Sequence, residues 1–488
     1  MAKRVLQQEE LEVLAENFFD DSDEPEDIFP SSESDFSDIE IAQESISSES
    51  EQAYSSEDSE VSEKQDLDEE YYIDEKDAFL KIIDLWMIDN ILKFTNMYID
   101  QLKIQHEYSR ERDCKDITRD ELLAYFGLLY LIGIKKAHHS NVKEIFANDG
   151  TGIQIVRAAM SYKRFLFITR CLRFDDKATR DERRRTDKLA AIRQFYPFVE
   201  NCKSSFNLSQ YTTIDEMLHP FRGRCSFVQY IPSKPAKYGI KMFALCDAES
   251  FYTSNIEIYC GKQPEGPYAV SNTPTDIVKR LITPIANSGR NLTIGNWFTN
   301  IPLADELLDK KITVVGTLKK NKREIPPEFQ PQKQRVVESS LFGFQKEKKL
   351  VSYVPRKNKS VILLSTLHDS DDIDPDSRKP QIILDYNATK GGVDTVDKMC
   401  AAYSVSRIIK RWPLVIFYSA MNIAGINAQI LYKSARPTKT PERRRFFLKN
   451  LSLALMKEHM IARSQIKSLS LDVKAFFEGK LQLFRKKN

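Results

Sequence analysis

No C-x-x-C pair occurs in the sequence, and its seven cysteines lie far apart, at positions 114, 171, 202, 225, 246, 260 and 400. An odd, dispersed set argues against a disulfide framework and fits a reducing compartment. The six histidines share no ligand spacing with these cysteines, so no zinc module is expected. His138-His139 is the only local pair and reads as an exposed loop. No uninterrupted apolar run reaches the roughly 18 residues that span a bilayer, so no membrane partner is expected. The first residues, Met1-Ala-Lys-Arg-Val-Leu, lack the apolar centre of a signal peptide.

What the chain does have is segregated charge. Its formal net charge is only +1 over 488 residues. Residues 1–70 hold 25 acidic and 3 basic side chains, whereas the remaining 418 hold 46 acidic and 69 basic. A body this basic suits a polyanion, nucleic acid before membrane, or else is simply a lysine-rich solvated surface. Residues 1–75, rich in Ser, Asp and Glu, have too little apolar surface to offset ordering entropy and read as a disordered acidic tail. Serines preceding acids there suit an acid-directed kinase, or the stretch is plain solvated tail.

From about Asp77 the spacing turns helical. Phe79, Ile82, Ile83, Trp86 and Ile88 form one apolar stripe, continued by Ile91, Phe94, Met97, Tyr98 and Ile99. Thr118 and Glu121 are spaced as a capping box before Leu122, Leu123 and Phe126. Ser161 onward is another helix, and Arg180, Arg183, Arg184 and Arg185 make a basic loop. From Tyr211 the texture becomes strand-like, with strands at 211–214, 227–231, 240–247 and 252–259. Helices at 275–285 and 301–308 then alternate with strands at 291–294 and 311–317. Strands first, then strands alternating with helices, predict a mixed α/β (α+β) sheet rather than a barrel. Residues 326–380 read as an insertion with three short strands, and a long apolar helix covers Leu414 to Leu431.

Three stretches carry the candidate chemistry. Thr213-Ile-Asp215-Glu delivers a carboxylate at a strand, followed by Phe221-Arg222-Gly-Arg224. Gly295-Asn296-Trp-Phe-Thr follows a second strand, and Gly391-Gly-Val-Asp394-Thr-Val-Asp397 puts two acids on one helical face. With Tyr230-Ile-Pro-x-Lys-Pro-x-Lys-Tyr-Gly-Ile-Lys241, Tyr386-Asn-x-Thr-Lys-Gly-Gly and Arg411-Trp412-Pro413, these stretches resemble a piggyBac-type transposase from roughly residue 76 to 470.

The resemblance implies an RNase H-like catalytic core inserted in a discontinuous all-helical domain. Its boundaries are a tail at 1–75, a helical dimerisation and DNA-binding part at 76–208, and core at 209–325. An insertion at 326–380, a last core strand and helix at 381–403, and a second helical part at 404–488 follow. It implies three aspartates holding two Mg²⁺ ions for DNA cleavage and joining. Asp215 is the first and Asp394 the third, with Asp397 in support. The second position is Gly295, which supplies no ligand, so the cleavage chemistry is expected to be lost and Mg²⁺ held weakly or not at all. Asp247 and Asn296 are the neighbours weighed as substitutes. The cysteine-rich module that usually ends family members is missing before Asn488.

Expected partners are DNA and a second copy of the chain, with no small-molecule substrate, and the expected compartment is the nucleus. DNA-contact candidates are Arg222, Arg224, Arg407, Lys410, Arg411 and Trp412. Trp412 either stacks on an unpaired base or plugs the core, and Arg222 and Arg224 either clamp phosphates or form salt bridges. Two other functions stay open: an active transposase cutting TTAA-like sites, and a scaffold working through the acidic tail.

Overall fold

Several helices begin where the chain offers an oxygen acceptor or a proline. The computed structural model describes residues 73–105, 114–232, 234–436 and 442–480; the expected acidic tail lies outside them up to residue 72. Asp74 accepts from Asp77 N at 2.7 Å to open α1 (Glu75–Ile82), and Asp84 accepts from Met87 N at 2.8 Å to open α2 (Leu85–Ile104). Thr118 Oγ1 accepts from Glu121 N at 3.2 Å before α3 (Arg119–Ile134), as its spacing predicts. Short helices follow: α4 (Val142–Ile145), α5 (Gln154–Ala159), α6 (Tyr162–Cys171), α7 (Arg180–Arg184) and α8 (Pro197–Ser204).

The predicted stripe from Phe79 to Ile88 is broken at Ile83. Because Asp84 caps a new helix, the phase shifts and Trp86 is 52% exposed rather than inward.

One nine-stranded sheet holds the second half of the fold together. Its strands are β1 (Tyr211–Pro220), β2 (Val228–Tyr230), β3 (Tyr238–Asp247), β4 (Thr253–Ile258), β5 (Asn291–Ile294), β6 (Thr313–Thr317), β7 (Ser340–Gln345), β8 (Lys348–Arg356) and β9 (Lys359–Ser365). Their order is β2-β3-β1-β5-β6-β9-β8-β7, with β4 also paired to β3. β1 is antiparallel to β3 but parallel to β5, and β5 is parallel to β6. Helices α9 (Pro274–Leu281) and α10 (Ile301–Asp309) precede β5 and β6, so a helix supplies each crossover that parallel pairing requires.

Two expectations are corrected. β1 does not stop at Ile214; it runs on to Pro220 because β3 pairs with it from Thr212 through Pro220. Residues 381–389, expected as a strand, form helix α11 (Gln381–Thr389), opened by Pro380 and burying Ile382 and Ile383. The residues expected as an insertion carry β7 to β9, which extend the same sheet through antiparallel pairing of β9 with β6.

Among the described residues four more helices follow: α12 (Gly392–Ala402), α13 (Trp412–Ser434), α14 (Arg444–Ser464) and α15 (Leu471–Lys480). Residues 119–134 and 444–464 cross closely. A Cβ on Gly127 would stand 2.6 Å from Ser452 O, so only glycine permits that approach. α13 packs on α1 and also on β1 and β3, joining helices to sheet. By length and composition this 23-residue helix could cross a bilayer, but 89% of its most apolar stretch is buried within the protein. Polar residues interrupt its sequence run; one, Asn427, is fully buried and bonds the backbone N and O of Thr253 at 3.0 and 2.9 Å.

Candidate functional site

Parallel pairing sets Ile214 of β1 beside Ile294 of β5. The next residues are Asp215 on β1 and Gly295 just past the end of β5, so these two positions follow a matched pair on neighbouring strands. Helix α12 is held over them by a cluster of threonines. Thr213 Oγ1 donates to Thr389 O at 2.6 Å, and the hydroxyls of Thr293 and Thr389 are 2.7 Å apart. Gly392 rests on Thr213 so closely that an added Cβ would meet its Oγ1 at 3.2 Å. Asp394 therefore enters in the first turn of α12, and Asp397 one turn later. Asp394 comes near enough to Asp215 for its charge to act on that carboxyl.

Lys234, from the loop after β2, reaches into the same place. Its Nζ lies 3.2 Å from Asp394 Oδ1. Burial works against this ammonium, but Asp394 and Asp215 outweigh it and raise its pKa. Burial, then the charges of Glu216 and Asp394, push the Asp215 carboxyl up to about 7, against the pull of Lys234. Asp397 is pushed up to about 6, chiefly by burial. Sequence reading missed Lys234 as a site residue; it lies within the Tyr230-Ile-Pro-x-Lys-Pro pattern, between two prolines.

Gly295 is not imposed by the backbone. A Cβ built there meets nothing within 4 Å, and its φ lies outside the left-handed region that favours glycine. Its carbonyl accepts from Phe298 N at 3.1 Å and Thr299 Oγ1 at 2.9 Å, which fixes the turn without any side chain at 295. Neither neighbour weighed as a substitute replaces the acid. Asp247 is buried at the β3–β4 turn, where it accepts from Ser209 Oγ and, at 2.5 Å, from Ser250 Oγ. Asn296 is exposed beyond the strand end. Glu216 ion-pairs with Lys241 at 3.3 Å.

Among the described residues no group of three or more His, Cys, Asp or Glu is arranged to hold a metal ion. Two-metal chemistry needs carboxylates on both sides of an ion pair. Asp215 and a lysine-paired Asp394, with glycine at the second position, do not fit it.

The DNA-contact candidates divide into two groups. Arg222, Arg224 and Lys410 are exposed, and their loops touch: a Cβ on Gly223 would be 2.5 Å from Lys410 O. Arg407 and Arg411 turn inward instead. Arg407 donates to Ala137 O and Ser140 O at 2.8 and 2.7 Å. Arg411 closes the end of α6, donating to Arg170 O at 2.9 Å and Leu172 O at 2.7 Å. Trp412 is half-buried, edge-on to Phe227 with centroids 5.0 Å apart.

Comparison with known proteins follows the same lines. A cryo-EM structure of a piggyBac transposase synaptic complex with hairpin DNA superposes with a TM-score of 0.79 at 35% identity, covering 84% of this chain and 85% of that one. The human PiggyBac transposable element-derived protein 3 is 24% identical over 346 residues, 67% of this chain and 56% of the relative. The human chimeric ERCC6-PGBD3 protein is equally similar over 346 residues, 31% of its length. The chain thus matches about half or less of the length of these two curated relatives. A family model described as Transposase IS4 matches residues 74–429, and with these likenesses it establishes that the chain belongs to the piggyBac transposase family.

Proposed function

We propose that this protein binds DNA through a piggyBac-type frame and has lost the cleavage chemistry of that frame. The observation that carries the reading is Gly295, just past the end of the strand beside that of Asp215, where the resemblance calls for a carboxylate. Deleting a ligand should cost more than the roughly 10–100-fold typical of altering a residue behind one. The ammonium of Lys234 further offsets the charge of the two remaining acids.

Antiparallel β4-β3-β1 followed by parallel β5 and β6 supports an RNase H-like core spanning 209–325 and 381–403. In this reading, helices at 76–208 and 404–488 form the dimerisation and DNA-binding part. DNA as partner is supported by the likeness to a transposase solved in a DNA complex and by the exposed Arg222, Arg224 and Lys410. A nuclear homodimer follows from the same family reading.

The reading is tested by incubating the purified chain with a terminal-repeat duplex, with Mg²⁺ or Mn²⁺, across a salt series. Binding that weakens steeply with salt, without nicking, is expected. Nicking abolished by Asp215→Ala would instead establish the active transposase. Binding independent of salt would favour a scaffold acting through the acidic tail.

A further inference from the structure

Soluble proteins bury most of the surface of their aromatic side chains, yet Tyr230 and Tyr238 are 52% and 45% exposed. They face each other across the β2–β3 pair, with ring centroids 4.8 Å apart. The hairpin that carries them is fixed: Ile231 N donates to Lys237 O at 2.8 Å, and Lys237 N to Lys234 O at 3.0 Å. Phe221 N donates to Tyr238 O at 3.2 Å, which ties the arginine loop to the hairpin. The Arg222 guanidinium lies 5.8 Å from the centre of the Tyr238 ring. Lys237 precedes Tyr238 and is exposed, as are Arg224 in the arginine loop and Lys410, whose carbonyl borders Gly223 of that loop.

We propose that Tyr230 and Tyr238, with Arg222, form a stacking platform for an unpaired DNA base. The inference rests on the DNA-binding reading above and adds the kind of DNA recognised. A cross-strand tyrosine pair can stabilise a hairpin by itself. That role does not account for two half-exposed rings, one with the Arg222 guanidinium beside it, on a protein with a basic body. Exposed aromatics beside arginine are what single-strand binders use, because every base offers a stackable face whatever its sequence. A paired base keeps its faces inside the duplex, so the ligand is an overhang, gap or frayed end. Tyr238 adjoins Gly239, which pairs with Pro220, five residues along β1 from Asp215. At about 3.3 Å per residue this puts the platform roughly 16 Å from the acidic site, a few nucleotides along an extended strand.

The test uses the full chain with a blunt duplex and with the same duplex carrying a short single-stranded overhang containing 2-aminopurine. Wild type is expected to bind the overhang duplex about tenfold more tightly and to quench the 2-aminopurine. The double variant Tyr230→Ala/Tyr238→Ala should lose both the margin and the quenching while keeping its blunt-duplex affinity. Tyr230→Phe/Tyr238→Phe, which preserves the ring faces and the fold, should keep both. Equal affinity of wild type for the two duplexes, or a margin that survives the alanine pair, overturns the platform. Failure to bind either duplex overturns the DNA-binding reading itself, whereas blunt-duplex binding without quenching overturns the platform alone.

Discussion

Strand β1 carries two polar regions that are built differently. Near Asp215, Asp394 of α12 pairs with Lys234, and the neighbouring strand is followed by glycine. Past Pro220, the arginine loop and the tyrosine hairpin present several cations and two rings to solvent. The first region depends on a few atoms meeting at one point, so on the proposed reading glycine at 295 removes its chemistry while the turn there keeps its hydrogen bonds. The second spreads its interaction over many side chains, each contributing modestly. Binding is therefore harder to lose than cleavage.

His219 lies on β1 between the two regions, buried, with Nε2 lacking a hydrogen-bond partner among the described residues. Burial lowers its pKa to about 4, against 6.5 for a free imidazole. Between those values the unfolded chain binds more protons than the folded one, so the neutral ring's contribution is complete above pH 6.5 and is lost as pH falls toward 4. The full effect is about 3 kcal/mol. Denaturation across pH 4–7 should show it, and His219→Leu should flatten that slope; an unchanged slope would remove His219 as the source of the pH dependence.

The contrast between inward and outward cations gives two smaller effects. Arg411→Ala leaves carbonyls at the end of α6 without their donor and should lower stability by about 2 kcal/mol. Its DNA affinity, measured where the variant is folded, should change little. Lys410→Ala should leave the unfolding midpoint within about 0.5 kcal/mol of wild type and reduce the slope of log affinity against log salt by about 0.9. Exchanged outcomes would reverse the assignment of the two neighbours.

Much of this was legible from residue type and spacing. Thr118 and Ser161 cap the helices their spacing predicts. The meeting of Asp215 with Asp394 came from family resemblance, since no local spacing links residues so far apart in sequence. What escaped was direction. Arg407, Lys410 and Arg411 carry the same charge within five positions, but only the packed α6 end and the loop after α3 show which of them turn inward. Residue type did not separate Tyr230 from Trp412: Phe227 covers the tryptophan edge while the hairpin holds the tyrosine outward. Lys234 was hidden for the same reason: its approach to Asp394 depends on the fold of the β2–β3 loop.

The measurement that bears most directly on the central claim compares wild type with Gly295→Asp on a terminal-repeat duplex in Mg²⁺. The added side chain has room, since nothing lies within 4 Å of its Cβ. The account predicts no nicking by wild type and cleavage by the variant at least about a hundredfold above background, abolished again by adding Asp215→Ala. Robust Mg²⁺-dependent cleavage by the unaltered chain would contradict it.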